Sequence, residues 1–156
     1  MKKKCIICIF GNKDCGKTSS ILELYKLLIE QGWLNAECPK TLSDDIYAVF
    51  EKSGITIGIS SVGDPKTNQK ELIERLINYT CDFIVCAARG YERSEPIKNI
   101  NAIYKANNSI YNVIFLSNYS INDYNSHMEA ANQLSKLTAK GILNVIEYVI
   151  SKNGEI

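Results

Sequence analysis

The sequence predicts an α/β fold in three layers: a mostly parallel five-stranded sheet with helices on both faces. Two observations predict it. Apolar runs of strand length alternate with longer segments whose apolar residues recur every three or four positions, the pattern of parallel strands joined by crossover helices. Two of the runs are separated by only Glu51-Lys52-Ser53-Gly54, too few residues for a crossover, so one hairpin brings an antiparallel strand into the sheet. The chain has 156 residues, the length expected of a single domain spanning 1–156.

Residues 4 to 10 form the opening strand. Residues 17 to 30 carry Ile21, Leu24, Tyr25, Leu28 and Ile29 on one helical face and stop at Gln31-Gly32. Residues 33 to 45 contain Pro39 and the polar run Lys40-Thr41-Leu42-Ser43-Asp44-Asp45, and read as a loop. The hairpin strands follow at 46 to 50 and 55 to 59, then a second loop at 60 to 67 and a helix from 69 to 79. A buried strand at 82 to 87, a helix at 95 to 106 and a last strand at 112 to 117 complete the alternation. From 123 to 151, Met128, Ala131, Leu134, Leu137, Val145, Ile146 and Val149 recur at helical spacing, and Gly141 marks a break or bend.

Apolar residues make up 46% and charged residues 22%, an ordinary globular composition that excludes a disordered chain. A net charge of +1 gives no long-range attraction to nucleic acid or anionic lipid. Met1-Lys2-Lys3-Lys4 followed by six apolar residues has the outline of a signal peptide. The run ends in a glycine loop instead of a small-residue cleavage site, and no stretch reaches the roughly 18 apolar residues of a membrane span. The expected setting is therefore soluble and cytoplasmic, with neither membrane nor nucleic acid as partner. Of the six cysteines, at 5, 8, 15, 38, 81 and 86, four lie in or beside apolar runs where a thiol acts as a small hydrophobe. Cys5 and Cys8 have a metal-pair spacing, but on a strand they point to opposite faces, so reduced structural cysteines are expected.

The chemistry concentrates in Gly11-Asn12-Lys13-Asp14-Cys15-Gly16-Lys17-Thr18, which satisfies G-x-x-x-x-G-K-[ST] in full between a buried strand and an amphipathic helix. The glycines permit backbone conformations and close approaches that a Cβ forbids, so successive N–H groups can turn inward around phosphates at the positive end of the helix. Gly11, Asn12, Lys13, Asp14, Cys15, Gly16, Lys17, Thr18 and Ser19 are the expected phosphate-binding set. Within it, Lys17 reaches the β- and γ-phosphates, and the Thr18 hydroxyl is a ligand for Mg2+.

Residues 5 to about 30 resemble the opening strand, Walker A loop and first helix of the P-loop NTPases. The resemblance implies a three-layer P-loop NTPase fold with the nucleotide at the carboxyl ends of the strands. The layout is nearest to the small GTPase-like and kinase classes. Their Asp-x-x-Gly motif has its counterpart in Ser60-Ser61-Val62-Gly63, with serine where those relatives carry the metal-side aspartate. Asp64 is the nearest carboxylate that could serve Mg2+ or a catalytic water, and it could equally begin a turn and cap the next helix. Gly63 is the candidate amide for the γ-phosphate. The Asn-Lys-x-Asp motif of guanine-specific relatives is reduced to Asn118 in Ser117-Asn118-Tyr119-Ser120, which makes ATP the expected nucleotide ahead of GTP.

Arg75, Arg89 and Arg93 are the arginines of the chain. In P-loop folds the strand after the Walker B strand commonly lies beside the first, which would set Arg89 near the γ-phosphate, where a guanidinium stabilises developing charge. Arg93 belongs to Glu92-Arg93-Ser94, a triplet also present in deoxynucleoside kinases. Lys40, Thr41 and Asp44 are candidates for a switch loop, Asp14 for a monovalent-cation position, and His127 for a surface residue. The expectation is a small Mg2+-dependent NTPase or nucleotide switch with Lys17, Arg89 and Asp64 as catalytic candidates, aided by a protein partner or self-association. A nucleoside or nucleotide kinase and a non-catalytic nucleotide-binding protein are the alternatives.

Overall fold

The computed structural model describes residues 4–42, 44–119 and 127–152, and the backbone alone for 37–42. The elements run β1 (Lys4–Gly11), α1 (Lys17–Glu30), β2 (Leu34–Leu42), β3 (Asp45–Lys52), β4 (Ile55–Ser60), α2 (Gln69–Asn78), β5 (Phe83–Arg89), α3 (Glu95–Asn107), β6 (Tyr111–Ser117) and α4 (Met128–Ser151). They form a three-layer α/β fold whose sheet is mixed and six-stranded, in the order β2-β3-β4-β5-β1-β6. The strands β4, β5, β1 and β6 are parallel, and β2 and β3 are antiparallel additions at one side.

The extra strand corrects the loop expected over 33 to 45. Pro39 and the polar run suggested a loop, yet β2 is an edge strand, where a missing N–H costs no ladder bond. Its pairing with β3 is irregular between Glu37 and Lys40, the interval that contains Pro39. The β3–β4 hairpin forms as expected, because Ser53 and Gly54 both take positive φ, +53° and +76°, the combination of a two-residue type I′ turn.

Alternation along the strands divides the interior in two. Cys5, Ile7 and Ile9 of β1 face Ile21, Leu24 and Leu28 of α1 and Ala139, Ile142 and Ile146 of α4. Ile6 and Cys8 face the opposite way, with Leu72, Ile73 and Leu76 of α2 and Ile97, Ile100 and Ile103 of α3. Cys5 and Cys8 thus lie on opposite faces as expected, and Cys5, Cys8, Cys15, Cys81 and Cys86 are free thiols. The long final helix runs unbroken through Gly141, so that glycine neither breaks nor interrupts α4. The first residues expected in that helix, 123 to 126, lie outside the described residues.

This layering positions the site. β1 and β5 are adjacent parallel strands with Gly11 in register with Arg89, yet the helices that follow them, α1 and α3, cover opposite faces. Connections that part in this way open a crevice at the carboxyl ends of the two strands, where ligands bind in open α/β sheets.

Candidate functional site

A cavity of about 700 Å3 occupies that crevice, walled on one side by Lys13, Asp14, Cys15, Gly16, Lys17, Thr18 and Ser19. Asp44, Asp45, Ser61, Gly63, Asp64 and Arg89 form the opposite wall. Gly11 and Asn12 do not line the cavity. Their carbonyls accept hydrogen bonds from the Lys17 ammonium at 3.1 and 2.6 Å, so the lysine, 8% exposed, is folded across its own loop. The Cys15 thiol fills the loop's underside and donates to the Asn12 carbonyl at 2.9 Å.

Gly16 precedes α1 with φ +71°, the left-handed region, and a Cβ there would sit 1.9 Å from the Tyr119 hydroxyl oxygen. Only glycine serves both demands. The Ser20 amide returns to the Gly16 carbonyl at 2.9 Å, and no side chain caps the helix, so the first amides of α1 point toward the cavity without an intrahelical acceptor. A helix beginning in this state attracts an anion through both hydrogen bonding and its dipole. Tyr119 is held above Gly16 by hydrogen bonds to the Ala131 carbonyl, 3.0 Å, and Ser135 Oγ, 2.7 Å, on α4. Asn118 donates to the Cys15 carbonyl at 2.6 Å, bracing the loop from below.

The second loop is fastened to the same strand end. The Gly90 amide donates to the Gly11 carbonyl at 2.8 Å and the Arg89 amide to the Gly63 carbonyl at 2.7 Å, so the end of β5 ties the two loops together. A Cβ on Gly63 would lie 2.6 Å from the Ala87 backbone, which makes glycine obligatory for that approach. Gln69, buried at the start of α2, donates to the Ala87 carbonyl at 2.8 Å and holds the loop from its far end.

Asp64 and Arg89 meet each other: Arg89 Nε lies 2.8 Å from Asp64 Oδ1, an ion pair without the alignment of a hydrogen bond. The carboxylate therefore does not cap the following helix, whose N-cap is Asn68. Ser60, aligned with the aspartate of Asp-x-x-Gly, does not line the cavity. It is fully buried, and its hydroxyl has no hydrogen-bond partner among the described residues. Ser61 lines the cavity in its place. Its hydroxyl accepts from the Ile46 amide at 2.9 Å and donates to Asp45 Oδ1 at 2.7 Å, fixing a carboxylate in the cavity that Thr18 also lines.

Asp45 and Ser61 were not singled out in the sequence. The signal that could have found Asp45 is its place at the open end of the hairpin, beside the carboxyl end of β4. Of the switch-loop candidates, Asp44 lines the cavity, while the side chains of Lys40 and Thr41 lie outside the described residues. Arg75 pairs with Glu71 on α2, and His127 lies at the start of α4; neither lines the cavity. Arg93 lines a neighbouring recess of about 630 Å3 with Phe10, Tyr91, Glu92 and Ser94.

The donor set fits a metal-bound polyanion. Lys13, Lys17, Arg89 and open amides suit phosphates, whereas Asp45, Asp64 and the Thr18 hydroxyl are the hard oxygen donors that Mg2+ takes through few protein ligands and several waters.

No family model matches the chain, and no curated protein matches it. Among solved structures, a nucleolar GTP-binding protein 1 candidate from Plasmodium falciparum aligns over 98% of this chain and 97% of its own, at 12% identity and a TM-score of 0.27. A likeness that low carries no argument about function, which rests on the site alone.

Proposed function

We propose that this chain binds a nucleoside triphosphate with Mg2+, ATP ahead of GTP, and hydrolyses it slowly as a small nucleotide switch. One observation carries the proposal: a complete Walker A loop, with Lys17 folded across it, faces Asp45, Asp64 and Arg89 over a single cavity. In this reading the amides of residues 13 to 19 and the Lys17 ammonium hold the phosphates. Thr18 and Asp45 would hold the metal, whose positive charge would offset the negative charge of the triphosphate oxygens. Asp45, oriented by Ser61, takes the part of the aspartate missing at position 60.

Slow turnover follows from the side chains available. Of the cavity-lining carboxylates, Asp64 is paired with Arg89 and Asp45 is held by Ser61, so neither is poised as a free general base before nucleotide binds. The preference for ATP rests on Asn118, which braces the Cys15 carbonyl and is not followed by a guanine-reading aspartate.

A second reading, phosphoryl transfer to a nucleoside-like acceptor, is favoured by the recess lined by Phe10, Tyr91 and Arg93 beside the crevice. Its aromatic rings, 6.1 Å apart between centroids and edge to face, offer a wall for a planar base. Incubating the protein with radiolabelled ATP or GTP, with and without a nucleoside panel, tests both readings. Free phosphate released without an acceptor supports hydrolysis, and a labelled nucleotide product supports transfer. Failure to retain either nucleotide at millimolar Mg2+ contradicts both.

A further inference from the structure

Gly16 has no side chain, and the phenol of Tyr119 stands where one would be. A Cβ built on Gly16 would lie 1.9 Å from Tyr119 Oη, 2.3 Å from Cζ and 2.8 Å from Cε1. Gly16 holds φ +71° immediately before α1, so its conformation sets the direction of the first amides of that helix. Glycine enters the left-handed region without steric cost and leaves it as easily, because it has more backbone freedom than any other residue. A contact on its open side narrows that freedom, and Tyr119 makes such a contact.

The tyrosine is in turn held by α4. Its hydroxyl has one hydrogen, and the Ala131 carbonyl at 3.0 Å can only accept. That hydrogen therefore goes to Ala131, and the Ser135 hydroxyl, 2.7 Å away, donates to Tyr119 Oη. Ser135 is 1% exposed, on a helix face whose other buried residues are apolar, where a hydroxyl without a partner would be costly. The adjacent Asn118 makes a parallel tie: its amide donates to the Cys15 carbonyl at 2.6 Å, and its carbonyl oxygen accepts from Thr138 Oγ1 at 3.4 Å. Residues 131, 135 and 138 share one side of α4, at steps of four and three. The end of β6 is thus fixed to that helix and bears on Cys15 and Gly16, the two residues before Lys17.

We infer that Tyr119 is a positioning residue for the phosphate loop. With its hydroxyl fixed to Ala131 and Ser135, it holds Gly16 in the conformation that presents the first amides of α1, so the loop is shaped for phosphate before any ligand arrives. The inference rests on the reading of this loop as a phosphate site. Preorganisation of this kind acts by lowering the ordering cost of binding. It works through the loop backbone and not through the metal or the Arg89 guanidinium, so its loss weakens diphosphate and triphosphate alike, with or without Mg2+.

Tyr119→Phe tests this by removing one oxygen and leaving the ring. Ser135 can then turn to the Ala131 carbonyl four residues back, so the variant is expected to fold. Isothermal titration is expected to show about fivefold weaker binding of both ADP and ATP, in Mg2+ and in EDTA, the equivalent of one hydrogen bond. In nucleotide-free protein, hydrogen exchange of the Ser20 amide, which donates to the Gly16 carbonyl at 2.9 Å, is expected to quicken by a similar factor. Ser135→Ala is expected to weaken binding less, and Tyr119→Phe/Ser135→Ala no more than Tyr119→Phe alone, because both changes act through one hydroxyl. Ile103→Val, in the core on the opposite side of the sheet, is the control for a purely structural effect. It is expected to lower the thermal midpoint while keeping wild-type affinity and Ser20 exchange. Wild-type nucleotide affinity in Tyr119→Phe, or Ser20 exchange no faster than in Ile103→Val, would overturn the inference. A wild type that binds no nucleotide would overturn the proposed function instead, and the exchange comparison would still decide the role of Tyr119.

Discussion

The guanidinium of Arg89 lies against the carboxylate of Asp64, Nε to Oδ1 2.8 Å, in the cavity that both residues line together with the Gly16-Lys17-Thr18 segment. Both side chains are partly solvated, 34% and 52% exposed, so the pair contributes well under about 1 kcal/mol to stability. An anion with more charge than a carboxylate can displace Asp64, and a terminal phosphate is such an anion. Such a displacement would link occupancy of the crevice to the loop that carries Asp64, which among the described residues is otherwise tied to β5 through the Gly63 carbonyl and Gln69.

Two substitutions test this competition. Arg89→Ala is expected to reduce the preference for triphosphate over diphosphate by about tenfold, because a charge-assisted contact to the terminal phosphate is worth roughly 1.5–3 kcal/mol. Asp64→Asn is expected to strengthen triphosphate binding severalfold by freeing Arg89. Fluorescence titration with nucleotide analogues reads both, and weaker triphosphate binding in Asp64→Asn would assign that carboxylate to the metal instead.

Asp45 should govern the metal response. The Asp45→Asn variant is expected to bind triphosphate in EDTA like the wild type but to lose most of the gain on adding Mg2+, and to hold Mn2+ more weakly in the ternary complex by electron paramagnetic resonance. Ser61→Ala should give a smaller loss in the same direction, because it removes only the hydrogen bond that orients the carboxylate. An Asp45→Asn protein with an unchanged Mg2+ response would remove Asp45 from the metal without touching the phosphate loop.

Alkaline pH should destabilise the fold through its buried acids. Burial pushes the Cys5 thiol from 9.0 up to about 11. Cys86 is raised first by its hydrogen bond with Cys8 and then by burial, and Tyr111 is raised chiefly by burial. Each group keeps its proton in the folded chain at a pH where the unfolded chain has lost it. The stability they contribute is complete below pH 9 and falls as pH rises through 11, by up to about 1.4 kcal/mol per pH unit for each group. Urea denaturation between pH 8 and 11 measures the slope. Cys5→Ala should flatten it, and a slope equal to that of the wild type would contradict the assignment.

Much of this was legible in the sequence, for physical reasons that differ by element. The central strand β1 is covered on both faces, so it had to be apolar throughout, and the glycines of its loop answer backbone demands visible as a spacing. The hairpin was legible because Glu51-Lys52-Ser53-Gly54 leaves too few residues between its runs for a crossover. β2 was not, since Pro39 is punctuation in most strands and tolerated only at an edge, which a single sequence does not mark. The same limit hid Asp45. Its role depends on Ser61 turning toward it across the hairpin while Ser60 turns inward, and alignment to a motif placed the emphasis on Ser60 instead. The Asp64–Arg89 contact required two loops from different strands to meet, and it became visible only once β5 was seated between β4 and β1.

The central claim is that the Lys17 ammonium and the amides at the start of α1 converge on a polyphosphate. Isothermal titration of the wild type and Lys17→Ala with ATP at millimolar Mg2+ tests it most directly. The wild type is expected to bind one nucleotide per chain, and Lys17→Ala, folded by circular dichroism, to lose at least about a hundredfold in affinity, the loss of a buried charged contact of roughly 3 kcal/mol. Equal, Mg2+-dependent affinity in the two proteins would contradict the account.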